Sequence, residues 1–553
     1  MSEIVDSDYQ VVVAGGGPCG LMLAIELGRR NESTLVLNER ATTTPYPQAN
    51  ATQARTMEHF RRIGIADAVR KTGLPADYTT DAACFTRLSA YEIARFEMPP
   101  SAEAPRLIRT LGGSWSGAEL PHRGAQMYFE RVLFEKASTY PSVRSRFGWK
   151  LTKFDDDGDA VHVVAEKVGT SERRNVSAQY LVGCDGPRSA VRKQLDIQYE
   201  GKTGVVREFM GGRMLQVYLR APAIYEIVRN KRRAWQYWAI NPEQKGFITA
   251  VNGKDEFVFV IQLRPGRDEK DVSDEDMHAA FERMVGARCP IEIISAVPWT
   301  AGLVLVAQRF QKGRVFIGGD AAHLFTPSGG LGYNTAVEDA VNLSWKLAAT
   351  LRGWGGANLL TSYEAEMIPL ARRNTRFADH FADTIAMSDL SDIEAESEAG
   401  ELARSRIGEV WNRRAREVLD IPGVTFGLRY DDSPIIFSDG RKPPVDQANE
   451  YVPSAVPGGR PPHAWLSDGS SLFDTFGPEF SLLRLSDDCQ VEPFVSEAKR
   501  RNLPLKIVHL EGERFKDLYE ANLALIRPDQ IVAWRGDPSQ SAKSVFKRVL
   551  GDE

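Results

Sequence analysis

No apolar run in this chain approaches the ~18 residues that a membrane span requires. Its opening, MSEIVDSDYQ, is acidic and has no apolar core, so no secretory leader is expected. Basic excess is also lacking. Sixty-nine Lys and Arg stand against 74 Asp and Glu, a formal charge of −5, which argues against a nucleic-acid partner. Cysteine is scarce: Cys19, Cys84, Cys184, Cys289 and Cys489 are scattered and form no CxxC, which points to neither a metal site nor a disulfide framework. Repeats and low-complexity tracts are missing too. The expectation is a cytoplasmic protein without membrane or nucleic-acid partners. What is present is an ordinary globular composition, 42% hydrophobic and 26% charged, over 553 residues, enough for two to four domains.

The most informative stretch is VVVAGGGPCG at 11–20, followed by LMLAIELGRR. Three β-branched residues, a turn without side chains and an apolar helical run predict a buried strand, a tight turn and a helix. Gly15, Gly17 and Gly20 have the spacing of a dinucleotide fingerprint: one for the turn, one for close approach of a pyrophosphate, one for helix–strand packing. The helix N-terminus offers N–H groups and partial positive charge to phosphate. A second strand, STLVLN at 33–38, ends at Glu39, the acid expected to bond a ribose hydroxyl.

Two later stretches repeat this logic. A strand running into Cys184-Asp185-Gly186 sets a carboxylate at its carboxyl end, and Arg314–Ile317 runs into Gly318-Gly319-Asp320. A glycine-rich loop, Pro327–Asn334, then feeds a long helical run, a second anion-binding helix start. Between them, residues 201–305 alternate with aromatic interleaving and read as an inserted antiparallel sheet domain. Part of that domain is expected near 76–118. The expected division is 1–200 and 306–420 for a discontinuous nucleotide-binding domain with a helical region, 421–465 for a linker, and 466–553 for a small α/β domain.

These motifs, in this order, resemble the group A flavoprotein monooxygenases, the FAD-dependent aromatic hydroxylases. GGGPCG with Glu39 is similar to the family's ADP-binding unit, CDGPRSAVR to its Asp-Gly motif, and GRVFIGGDAAHLFTPSGGLGYNTAVEDAVNLSWKL to its second FAD motif. The tail resembles the thioredoxin-like domain of the phenol hydroxylase branch, without the CxxC of dithiol chemistry. The resemblance implies an α/β fold: a Rossmann-like FAD domain, an inserted sheet domain for substrate and a thioredoxin-like tail. It implies that FAD is held by Gly15, Gly17, Pro18, Gly20, Glu39, Arg40, Gln126, Asp185, Asp320, Pro327, Gly330, Leu331, Gly332, Tyr333 and Asn334. Gln48 stands where the family usually has a flavin-contacting arginine.

The chemistry implied is hydroxylation of a substituted phenol or catechol with NADPH or NADH and O2 through a flavin C4a-hydroperoxide, in a homodimer. A larger polycyclic aromatic substrate, or a catalytically silent flavin-binding regulator, are the alternatives. A phenolate reacts better than a phenol, so a proton acceptor is expected beside the substrate. Asn50 stands where some phenol hydroxylases have an acid or base, and an amide cannot take the proton. That leaves Tyr237, His122, His323 or a water relay, with Tyr237 preferred because alternation pairs it with Trp235 on one face. Arg213 is a candidate for holding an anionic substrate.

Overall fold

Val11, Val12 and Val13 have no exposed surface, as do Leu21, Met22, Ala24, Ile25 and Leu27 of the helix that follows. A strand buried on both faces needs neighbours on both edges and cover on both sides. The computed structural model, which describes residues 5–204, 207, 212–263, 271–383 and 390–552, supplies both. Val5–Ala14 pairs in parallel with Thr34–Asn38 on one edge and Arg173–Gly183 on the other. Val143–Phe147 and Val315–Ile317 extend the parallel sheet outward. An antiparallel ribbon, Trp149–Asp156 and Val161–Lys167, branches from Arg173–Gly183. The helices Pro18–Gly28 and Gly332–Leu351 pack on each other over this sheet. Burying each aliphatic side chain here stabilises the fold by about 1.5–3 kcal/mol relative to leaving it exposed.

The inserted domain is a seven-stranded sheet, antiparallel as expected except where Ala82–Phe85 pairs in parallel with Gln236–Ile240. It recruits Ala82–Phe85 and Glu92–Phe96 from the stretch assigned to it in advance. One element differs. Asp274–Val285 is a helix, started by a Ser273–Asp276 capping box and stopped by Gly286 in the left-handed conformation. It covers one face of the sheet with Met277, Phe281 and Met284.

The tail forms a four-stranded sheet, ordered Leu505–His509, Phe480–Arg484, Leu523–Ile526 and Val532–Gly536, with helices Glu492–Arg500 and Ala542–Val549. Its core is continuous with the FAD-side helix Gly332–Leu351, since Trp345 and Trp354 pack edge-on against Phe480. The segment expected as a linker, 421–465, is not loose. Arg460 is fully buried there, its guanidinium on the Glu58 carboxylate, and Phe426 packs against Tyr451.

Candidate functional site: two glycine loops and an aromatic cavity

The three glycines of the first loop do three different jobs. Gly15 has φ +113°, and a Cβ there would lie 2.1 Å from the Cys184 carbonyl oxygen. A Cβ on Gly20 would lie 1.9 Å from the Gly15 oxygen. A Cβ on Gly17 would meet nothing within 4 Å. The first two are therefore required by the protein itself, whereas Gly17 borders open space. Gly17 is also the N-cap of the helix Pro18–Gly28, with no side chain capping it. An uncapped helix start facing space is a fit for a dinucleotide's phosphates. Asn38 braces the loop by accepting a hydrogen bond from the Gly16 amide at 3.2 Å, and Glu39 and Arg40 are exposed just beyond.

The second end of the site lies at the carboxyl ends of the neighbouring strands. Asp185 is engaged within its own turn. Its carboxylate accepts from the Ser189 hydroxyl at 2.5 Å and from the amides of Ala190 and Val191 at 2.7 and 3.2 Å. Asp320 is exposed, in the turn Gly319–Ala321. Behind that turn lies a residue the sequence reading did not single out, Asp339. One of its carboxylate oxygens accepts from the Gly319 amide at 2.8 Å and lies 2.6 Å from His323 Nε2. Burial opposes charge on His323, but the Asp339 carboxylate outweighs it and raises the imidazole above its ordinary pKa. His323 is fully buried in this pair, so the structure makes it a brace for the turn and not a base for substrate. The Glu338-Asp339 pair, on the helix that leaves the second glycine loop, was the only signal in the sequence.

Asn334 locks the second loop to the segment before helix Ala54–Arg62. It accepts from the Gln53 amide at 2.9 Å and donates to the carbonyls of Ala51 and Gly330. Tyr333 stacks on Phe129 with centroids 4.7 Å apart, and its hydroxyl bonds to Thr52. Gly330, at φ +65°, leaves no room for a side chain: a Cβ would lie 2.8 Å from that of Ala51. Leu331 and Gly332 start the helix that carries these residues. Gln126 is held by donating to Glu130 at 2.7 Å, and Gln48 is exposed.

Against this loop opens a cavity. Pro327–Gly330 and Asn50–Gln53 form one side, the inserted sheet a second, and the helix Glu398–Leu419 a third. Trp235, Trp238, Phe247 and Trp411 make its walls aromatic, with Trp238 and Phe247 at 4.8 Å. Of the residues proposed in advance for catalysis, only Asn50 lines it. Tyr237 does not reach it. Its hydroxyl accepts from the Ala234 amide at 2.9 Å, and its ring stacks on Phe85 in the core of the inserted domain. Trp235 and Tyr237 do share that core cluster, but only Trp235 also reaches the cavity. His122 is buried beside the cavity and pushed down to about 3 by burial and by Arg70 and Arg123, which keeps it neutral. Arg213 is exposed on Gly212–Arg220 and does not line the cavity.

The comparisons agree with this geometry. Residues 8–378 match the family model described as an FAD binding domain, and 454–552 match the aromatic-ring hydroxylase C-terminal model. The FAD-dependent monooxygenase apdD of Emericella nidulans is 30% identical, the alignment covering 98% of this chain and 89% of the relative. Phenol 2-monooxygenase of a Pseudomonas strain is 27% identical, over 96% and 90%. A solved structure titled "Chromopyrrolic acid-soaked RebC with bound 7-carboxy-K252c" superposes with a TM-score of 0.87 at 31% identity, covering 99% of each chain. With an uncapped helix start at Gly17, a second glycine loop pinned by Asn334 and an aromatic cavity against that second loop, the chain belongs to the FAD-dependent aromatic-ring monooxygenases, and FAD is its cofactor.

Proposed function

We propose that the protein hydroxylates a fused-ring aromatic compound, using NAD(P)H and O2. The observation that carries this reading is the cavity wall, into which four large aromatic side chains, Trp235, Trp238, Phe247 and Trp411, converge from the inserted sheet and the helix Glu398–Leu419. Four large rings around one cavity offer stacking surface for more than one substrate ring. The sequence-based preference for a simple substituted phenol is therefore set second. RebC, whose structure holds 7-carboxy-K252c, supports the same choice through its similarity over the whole chain.

FAD, when bound, supplies the oxygen activation. The protein's part is positional. Gly17 and the helix start behind it would hold the pyrophosphate, and Asp320 would bond the polyol chain. Pro327–Gly330 would hold the redox-active ring against the cavity. Trp235, Trp238, Phe247 and Trp411 would fix the substrate plane and keep bulk water away. Asn50 would orient a substrate oxygen by hydrogen bonding without taking its proton.

The test is NAD(P)H oxidation by purified holoenzyme with a panel of fused-ring phenols and single-ring phenols under 18O2. Stimulation by a fused-ring compound, with one labelled oxygen in the product, is expected. Stimulation by single-ring phenols alone would overturn the reading.

A further inference from the structure

The charges around the cavity are one-sided. Arg123, Lys245 and Arg414 line it, and among the described residues no Asp or Glu does. Among the described residues no His or Tyr lines it either, so none of these side chains acts there as an ordinary base near neutral pH. Arg123 is the most confined of the three cations. It is 5% exposed, on the two-residue strand His122–Arg123 that pairs with Ala51–Thr52. Its guanidinium carbon sits 5.0 Å from the centre of the Trp235 ring, and Nη2 reaches the Met98 sulfur at 3.6 Å. No carboxylate of the described residues lies within ion-pair distance of it. That sets it apart from Arg55, Arg70, Arg460 and Arg527, each equally buried and each held by Glu or Asp. Burial draws the Arg123 pKa down to about 10, with the Tyr333 hydroxyl opposing. The other titratable neighbour is His122, itself neutral. A guanidinium kept in an apolar wall without a counter-ion is costly unless a ligand provides one.

We propose that Arg123 selects the substrate by charge: stacked on Trp235, it receives an ionised oxygen, a phenolate or a carboxylate, on the fused-ring substrate. This rests on the reading above and adds to it. In a cavity without a base, a phenol can still react as its anion if a fixed cation lowers its pKa. An opposite charge within about 4–6 Å lowers an acid's pKa by roughly 1–3 units. Arg123 would then replace the missing base by making the substrate more acidic, releasing its proton to solvent. Lys245 and Arg414, on the sheet and on the helix opposite, add to the same field.

The experiment uses the FAD-loaded enzyme and alizarin, a fused-ring phenol whose ionisation changes its colour. The bound dye's ionisation midpoint is compared with that of the free dye in wild type, Arg123→Gln and Arg123→Lys. Anthraquinone-2-carboxylate and its neutral carboxamide provide a second arm. We expect a downward shift of about one to two pH units in wild type, lost in Arg123→Gln and largely restored in Arg123→Lys, and about 10- to 100-fold tighter binding of the carboxylate over the carboxamide, also lost in Arg123→Gln. A preference confined to the phenol arm, or to the carboxylate arm, identifies which oxygen is held. A wild type with neither a shifted midpoint nor a carboxylate preference, or one whose effects persist equally in Arg123→Gln, overturns the proposal. So does a change confined to the flavin's reduction potential, which would assign Arg123 to the flavin. If 4-nitrophenol binds and alizarin does not, the fused-ring reading falls, and the same shift measured on 4-nitrophenol still decides the role of Arg123.

Discussion

The nucleotide end and the substrate cavity are made by opposite means. At the nucleotide end, backbone geometry does the work: Gly15, Gly17 and Gly20 lie within six residues, and what matters is the side chains they lack. At the cavity, side chains do the work, and they come from positions as far apart as Asn50, Arg123, Trp235, Ser328 and Trp411. A local backbone device tolerates almost no change at its tight points. A wall assembled from distant side chains should fail gradually, one contact at a time.

The sharpest way to break that contrast is within the first loop itself. Gly20→Ala places a methyl 1.9 Å from a carbonyl oxygen that cannot move away. Loss of soluble folded protein, or a melting temperature too low to measure, is expected. Gly17→Ala has no such conflict, so urea denaturation of the apoprotein should stay within about 0.5 kcal/mol of wild type. FAD affinity should nevertheless fall about 10-fold or more, as expected if the phosphates approach that backbone, equivalent to at least ~1.4 kcal/mol. Equal FAD binding by Gly17→Ala would remove the phosphate from that position.

Asp339→Asn comes next in size. It leaves the second turn's backbone intact but removes the carboxylate shared by the Gly319 amide and His323. A loss of about 3 kcal/mol in denaturant unfolding is expected, as for breaking a buried ion pair from one side. At the cavity, Trp411→Ala removes a ring buried among Ala94, Ile393 and Ile407, and should still fold, at a cost of about 3 kcal/mol. It should raise the KM for a fused-ring substrate about 10-fold, the size of one aromatic contact, while leaving FAD content unchanged. A fall in FAD content would mean that the two ends are not separable.

The same contrast explains what could be read in advance. The three motifs, the parallel sheet and the small C-terminal domain were legible because each is written in a continuous stretch with its own periodicity. Asp185 and Asp320 were located as strand-end carboxylates, but the structure shows Asp185 bonded into its own turn. The helix Asp274–Val285 was missed although its Ser273–Asp276 capping box is plain, because attention to alternation hid a 3.6-residue period. Trp411 lay in a stretch correctly read as helical, yet nothing local says that its ring meets Trp238 across a cavity. Tyr237 shows the limit of alternation. The inserted sheet buries apolar residues on both faces, so period two cannot tell the cavity side from the core side.

The smallest effect compares the two ends through their buried histidines. His323, facing the Asp339 carboxylate, has a raised pKa, whereas His122, facing Arg70 and Arg123, is pushed down to about 3. The signs of their linkage are opposite. His323 binds its proton more tightly in the folded state, so its contribution is complete below the ordinary value of 6.5 and is lost as pH climbs through the raised one. His122 refuses a proton that the unfolded chain accepts below 6.5, so its contribution is present above that pH and is lost as pH falls toward 3. His463, held to about 4 by burial and Arg460, acts in the same direction as His122. Urea denaturation between pH 6.5 and 4 should therefore show stability falling with acid, with each neutral histidine contributing up to about 1.4 kcal/mol per pH unit. His122→Leu should flatten that slope by roughly one histidine's share, up to ~1.4 kcal/mol per pH unit, without touching the loss seen on the alkaline side. If His122→Leu leaves the acid slope unchanged, His122 is protonated in the folded protein, and the cavity end is less dry than its aromatic walls imply.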